Sequence, residues 1–67
     1  MTFKETVRNR RKVLGISQQD LAEMSGISLP TVKDIERGTA NPSLSTMLKI
    51  LDVLGMEMTF RIRQNNF

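Results

Sequence analysis

A chain of 67 residues allows one domain, and a domain of that size buries only about 60% of the surface its unfolded chain exposes. It has no cysteine and no histidine, which excludes disulfides, Cys- or His-based zinc sites, thiol nucleophiles and a near-neutral proton switch. Its 10 basic residues against 7 acidic ones, a net of +3, permit an anionic partner without requiring one.

With disulfides and the usual metal sites excluded, a second copy of the chain is the staple left to so small a domain. The aromatics are Phe3, Phe60 and Phe67 alone. That is too few for the stacking platforms on which single-strand nucleic-acid binders rely. Residues 1–14 are charged and lack the apolar stretch of a signal peptide. No apolar run approaches the roughly 18 residues of a membrane span. The class expected from composition is a cytoplasmic, non-enzymatic binding module with no cofactor, no metal and no membrane partner.

Helix starts are marked four times along the chain. Thr2 followed by Glu5 reads as a capping box, and Phe3, Val7 and Leu14 continue as a helical stripe up to Gly15. Ser17 followed by Asp20 opens a second helix carrying Leu21, Ala22 and Met24. Ser28 opens a third, with Pro30 tolerated in the first turn, where the missing amide has no helical partner. Val32 and Ile35 form its inner face and Gly38 ends it. Thr39-Ala40-Asn41-Pro42 is a loop by composition. Ser43 opens a fourth helix with Leu44, Met47, Leu48, Leu51 and Leu54 at helical spacing, ended by Gly55.

The period then changes. Met56, Met58, Phe60 and Ile62 alternate with Glu57, Thr59, Arg61 and Arg63, which predicts a half-buried strand. No second strand is evident to pair with it. The simplest remedy for its unpaired backbone is the same strand of a second copy, across a two-fold axis. The alternative is an extended tail packing its apolar side on the fourth helix. Residues 64–67 read as a frayed end. The organisation expected is a helical domain over 1–55 and a dimerisation element over 56–67. The methionines read as core or interface fillers.

Residues 18–37, QQDLAEMSGISLPTVKDIER, carry the functional signal. They read as a short helix, a tight turn at Gly26 and a second short helix. Ala22 must be small because the second helix crosses close above it. Leu21, Ile27, Val32 and Ile35 fill the wedge between the two. Leu29, Pro30, Lys33, Asp34 and Arg37 are left on the outer side.

This arrangement resembles the helix-turn-helix of the phage repressor and Cro family, the XRE family. The matching residues are Arg11, Leu14-Gly15-Ile16-Ser17-Gln18, Leu21-Ala22, Gly26-Ile27-Ser28, Thr31-Val32, Ile35-Glu36-Arg37-Gly38, Asn41-Pro42 and Leu44. They span most of the chain. Ser25 departs from the pattern, which places an apolar residue before the turn glycine. The resemblance implies an all-α fold, a lambda-repressor-like bundle of four to five helices, here followed by the strand. The ending Leu54-Gly55-Met56-Glu57-Met58-Thr59-Phe60 is similar to HipB-type antitoxins. Those repress their own operon and bind a HipA-type kinase toxin.

The resemblance sets the helix over residues 28–37 in the major groove of double-stranded DNA. It assigns base reading to Ser28, Leu29, Pro30, Lys33 and Asp34. Leu29 and Pro30 suit thymine methyls, Lys33 suits guanine or a phosphate, and Asp34 suits cytosine N4. It assigns phosphate contacts to Ser17, Gln18, Thr31, Arg37, Thr39 and Asn41. Arg11 and Glu36 are expected to form a salt bridge tying the first helix to the third. Met56, Met58, Phe60 and Ile62 are expected at a homodimer interface. Arg8, Arg10 and Lys12 form a basic cluster that is either a solvated face or an additional contact surface.

The function implied is a sequence-specific regulator, a repressor, binding a pseudo-palindromic operator as a homodimer, with a HipA-like toxin as a further partner. The alternatives are an interaction module that neutralises a kinase toxin and a stand-alone phage-type repressor.

Overall fold

A computed structural model describes residues 2–64. The frayed end read over 64–67 falls, beyond Gln64, outside the described residues. The chain forms α1 (Phe3–Leu14), α2 (Gln18–Ser25), α3 (Leu29–Arg37) and α4 (Leu44–Val53).

Each helix begins where a short oxygen-bearing side chain can receive a backbone amide. The hydroxyls of Thr2, Ser17, Ser28 and Ser43 accept from the amides of Glu5, Asp20, Thr31 and Thr46. Only Ser17 completes the reciprocal box, since its own amide also donates to Asp20 Oδ2 at 2.9 Å. Capping of this kind satisfies amides that have no partner inside the helix. The turn between α2 and α3 passes through Gly26 at φ 74°, a left-handed conformation that residues with a Cβ rarely adopt. Ser25, the departure from the family pattern, ties this turn together. Its hydroxyl donates to Leu21 O at 2.6 Å and accepts from the Ile27 amide at 3.3 Å.

The core is formed by Val7, Leu21, Ala22, Val32, Ile35, Ile50, Leu51 and Leu54. α2 packs on both α3 and α4, and α1 packs on α3. This arrangement buries one side of α3 completely and leaves its other side free. α4 is apolar around more of its circumference than the chain can cover. Its buried side is Ile50, Leu51 and Leu54, whereas Leu44 and Leu48 are exposed. Leu14 and Met24 are exposed as well. In α1, α2 and α4 the stripes read from spacing were thus too broad, taking in apolar residues from the solvent side as well as from the core side, whereas Val32 and Ile35 of α3 are both buried.

The expected strand over 56–62 is not formed. Among the described residues there is no strand, and residues 56–64 have no regular secondary structure. A strand is defined by its partner, and within one chain the segment has none. The alternative of a tail packed on α4 fares no better at its far end, where Phe60 and Ile62 project into solvent.

Candidate nucleic-acid interface

The α2–α3 unit is locked to α1 by one buried polar network. Arg11 Nε donates to Glu36 Oε2 at 2.7 Å and Arg11 Nη2 to Glu36 Oε1 at 2.8 Å. This fork-to-carboxylate geometry is among the strongest side-chain pairings. Arg11 Nη1 also donates to Ile16 O at 3.0 Å, in the α1–α2 link. The side chains are 13% and 4% exposed, so the pair is nearly dry. Burial on its own would raise the Glu36 carboxyl. The hydrogen bonds from Arg11 and Gln18 and the charges of Arg11 and Arg8 outweigh it and hold the group below the usual glutamate range. The same hydrogen bond raises Arg11 against the opposing effect of its burial.

Gln18 belongs to this network. Its Nε2 donates to Glu36 Oε1 at 3.2 Å. Sequence reasoning missed this link, because it joins the first residue of α2 to the penultimate residue of α3. The contact uses one of the two amide hydrogens and leaves the other free to donate.

α3 presents its outer residues unevenly. Ser28, Pro30, Lys33 and Arg37 are exposed, and Thr31 and Asp34 are half-buried. Leu29 is a correction: expected on the outer side, it is half-buried and packs against the core. As the first residue of α3 it reaches back under the helix rather than outward. Ser28 and Thr31 are engaged with each other. Ser28 Oγ donates to Thr31 Oγ1 at 2.8 Å while accepting from the Thr31 amide. Asp34 forms an exposed ion pair with Arg37 one turn on.

Among the phosphate candidates, Ser17 sits exposed at the N-terminus of α2 with its oxygen accepting the Asp20 amide. Thr39 is held beside the end of α3 by its amide, which donates to Asp34 O at 3.0 Å. Asn41 is exposed in the loop before α4. Gln18 and Lys33 line one concavity, together with Arg37. Met56 and Phe60 are exposed, Met58 is half-buried and Ile62 is exposed.

Arg10 has a role that spacing did not suggest. Its Nε donates to Leu54 O at 2.9 Å, so it caps the end of α4 across 44 residues of sequence. The basic cluster of α1 is thereby divided, with Arg10 turned to α4 and Arg8 and Lys12 turned to α3. Among the described residues there is no grouping of acidic side chains that could hold a metal ion. No helix among them is long and apolar enough to cross a membrane.

Comparison with known proteins agrees with this architecture. A family model described as helix-turn-helix matches residues 7–60. An uncharacterised HTH-type transcriptional regulator of Haemophilus influenzae is 43% identical over 57 residues, covering 85% of this chain and 57% of that protein. The cryptic phage CTXphi transcriptional repressor RstR of Vibrio cholerae is 37% identical over 54 residues, covering 81% of this chain and 48% of that protein. The chain therefore spans only about half the length of these two relatives. The crystal structure of the restriction-modification controller protein C.AhdI from Aeromonas hydrophila superposes with a TM-score of 0.79 at 38% identity, covering 82% of this chain and 83% of that one. With the family match running from α1 past the end of α4, the chain belongs to the XRE-type helix-turn-helix family, whose relatives named here are transcriptional regulators and repressors.

Proposed function

We propose that this protein is a sequence-specific repressor of transcription that inserts α3 into the major groove of operator DNA and binds as a homodimer. The observation that carries the reading is the split of α3 into two sides. Val32, Ile35 and Glu36 are buried in the body, while Pro30, Lys33 and Arg37 stand clear of it on a helix that the Arg11–Glu36 pair holds in place.

In this reading Lys33 donates to guanine O6 and N7, Pro30 packs on a thymine methyl, and Asp34 accepts from cytosine N4 once its pairing with Arg37 is exchanged. Ser28 contributes its cap hydroxyl at the groove floor, and Leu29 supports the helix from beneath. Ser17, Gln18, Thr31, Arg37, Thr39 and Asn41 border the helix and meet the backbone, setting register. Met56, Met58, Phe60 and Ile62 pair with the same segment of a second copy. Repression is favoured over activation by the named function of the Vibrio relative. A HipA-type toxin is not part of the proposal, since the relatives that support the family are named as regulators and repressors.

Selection of random duplex DNA by the purified protein tests this directly. The expected product is a two-fold-symmetric motif with half-sites about 10 base pairs apart, centre to centre, or a multiple of that. Lys33→Ala should weaken binding by about 1–3 kcal/mol and relax preference at one position per half-site. Retention of no motif would overturn sequence-specific reading.

A further inference from the structure

The segment after α4 leaves the body through a turn that is held from several sides. Leu54, where α4 ends, has its side chain wholly buried in the core. Its carbonyl lies past the last position that the helix itself can pair, and it accepts from Arg10 Nε of α1 at 2.9 Å. Gly55 then turns the chain at φ 69°. The Gly55 amide donates to Asp52 O at 3.2 Å and the Met56 amide to Leu51 O at 2.9 Å. Beyond Met56 no backbone hydrogen bond between described residues holds the chain.

Arg10 is built into this exit. It is half-buried, and its guanidinium lies along Gly55, where a Cβ would stand 3.7 Å from Nη2. The dipole of a helix favours a cation at its C-terminal end, and a charged donor makes a stronger hydrogen bond than a neutral one. Arg10 has no carboxylate partner among the described residues, so the Leu54 carbonyl does not compete with an ion pair for it. α4 packs on α2 and α1 packs on α3, and the Arg10 bond runs directly between α1 and α4. The next residue of α1, Arg11, holds Glu36 of α3. Two consecutive residues of one helix therefore tie the exit of the segment to the helix proposed to enter the groove.

We infer that Arg10 is a positioning residue: by fixing the direction in which the segment after α4 leaves the body, it sets the spacing between the half-sites that the dimer accepts. The inference rests on the proposed homodimer and its operator, and adds to them what determines the distance between the two bound helices. In that dimer the exit turn of each copy is the joint between the paired segments and the body that carries α3. The chain measures 22 Å across its intermediate axis. A swing of about 10° over that distance moves α3 by about 4 Å, close to the rise of about 3.4 Å per base pair. Neighbouring spacings also differ by roughly a tenth of a turn about the duplex axis. A joint free to swing would accept several spacings, and a clamped joint accepts one. In this role Arg10 touches no DNA and acts through Leu54 and Gly55.

The test is binding to duplexes that carry the selected half-sites at the selected spacing and at one base pair more or less. Sedimentation and far-ultraviolet circular dichroism are measured on the same samples. Wild type should favour the selected spacing by about tenfold over its neighbours, as much as a mismatched base pair costs. Arg10→Met keeps the apolar stem and removes the donor. It should stay dimeric, recover the same half-site and favour the selected spacing by only about threefold or less. Arg10→Lys puts a methylene where Nε stands but keeps the charge and the fold, and should widen the preference in the same way. One glycine inserted between Gly55 and Met56 leaves Arg10 and the body intact and should widen it as well, so the result does not depend on the Arg10 variants folding. A dimeric Arg10→Met or Arg10→Lys protein with the wild-type preference overturns the inference and leaves the proposed function standing, and so does an insertion that keeps it. A preference lost together with the dimer overturns it too, because Arg10 would then hold the pair together rather than aim it. A wild type that recovers no two-fold-symmetric motif brings down the inference and the proposed function together.

Discussion

Leu21, Val32 and Ile50 are wholly buried in the helical body, whereas Phe60 and Ile62 in the segment after α4 are 86% and 93% exposed. Both regions carry a regular apolar pattern, of period 3.6 in one and 2 in the other. A helix closes its backbone hydrogen bonds within four residues, so once α1 to α4 form they need only lay their apolar sides together. A strand leaves its amides and carbonyls pointing sideways and needs a second segment to receive them. The body is complete within one chain, and residues 56–62 have the pattern of a strand without its partner. The comparison separates what one copy of this chain can settle from what requires another molecule.

The sharpest way to break the body is at the one buried charge pair among the described residues. Glu36→Ala leaves the Arg11 guanidinium nearly dry and without its counter-charge. Removing one member of a buried pair costs about 3–5 kcal/mol, against a total stability of about 5–15 kcal/mol for ordinary domains. The variant should unfold at a much lower urea concentration, or be largely unfolded without urea, as read by far-ultraviolet circular dichroism. A midpoint equal to wild type would mean that the pair does not hold α1 to α3.

The same carboxyl makes stability depend on acid. Its value in the folded protein lies below the ordinary 4.5. The folded state therefore binds fewer protons than the unfolded state through that range, and stability falls as pH falls. The contribution is present in full above 4.5 and is lost as pH drops through the lower, folded value. Denaturant midpoints measured from neutral pH downward should be level at first and then decline. The decline should be shallower in Glu36→Gln, which has no carboxyl to titrate at that position.

A smaller effect compares one helix with another inside the body. Ser17 makes both halves of a capping box, while Thr2 makes one. Ser17→Ala and Thr2→Ala each remove only a hydroxyl that receives an amide, at about 1 kcal/mol, whereas Asp20→Ala removes the carboxylate to which the Ser17 amide donates and should cost more than Glu5→Ala, which breaks no such bond. Equal urea midpoints for Asp20→Ala and Glu5→Ala would show that the reciprocal bond adds nothing.

Much of the body was legible because its signals are local. Thr2, Ser17, Ser28 and Ser43 cap the four helices, and each acts on an amide three residues away. Glycines at 15, 26, 38 and 55 all have positive φ where helices end. Arg11 and Glu36 were legible as a pair through the family resemblance. The bond from Arg10 to Leu54 O had no such mark, since a cation and a backbone carbonyl 44 residues on leave no trace in spacing. Nor did the Gln18–Glu36 contact, which depends on how α2 and α3 cross. Leu29, Leu44 and Leu48 were misplaced for a different reason. Helical periodicity says which residues share a face but not how far around the helix its neighbours reach. For residues 56–62 the pattern was legible and the structure was not, because a period of two does not say what would receive a strand's backbone groups, and no strand among the described residues pairs with the segment.

The smallest expected effect on stability is therefore the one that tests the tail. Phe60→Ser/Ile62→Ser removes two side chains that touch little in the single chain. Substitutions away from packed features change stability by about 0.5 kcal/mol or less, so the urea midpoint of the monomeric body should hardly move. If the segment pairs with its counterpart in a second copy, sedimentation should show the wild type as a dimer and the variant shifted toward monomer. The salt slope for DNA should then fall by about half, because each bound body neutralises its own set of phosphates. A variant whose mass is unchanged removes the pairing proposal. A variant that loses more than about 1 kcal/mol as a monomer would mean that Phe60 and Ile62 fold back onto the body. That cost exceeds what an exposed side chain can give up, and it would return the segment to the alternative of a tail packed on α4.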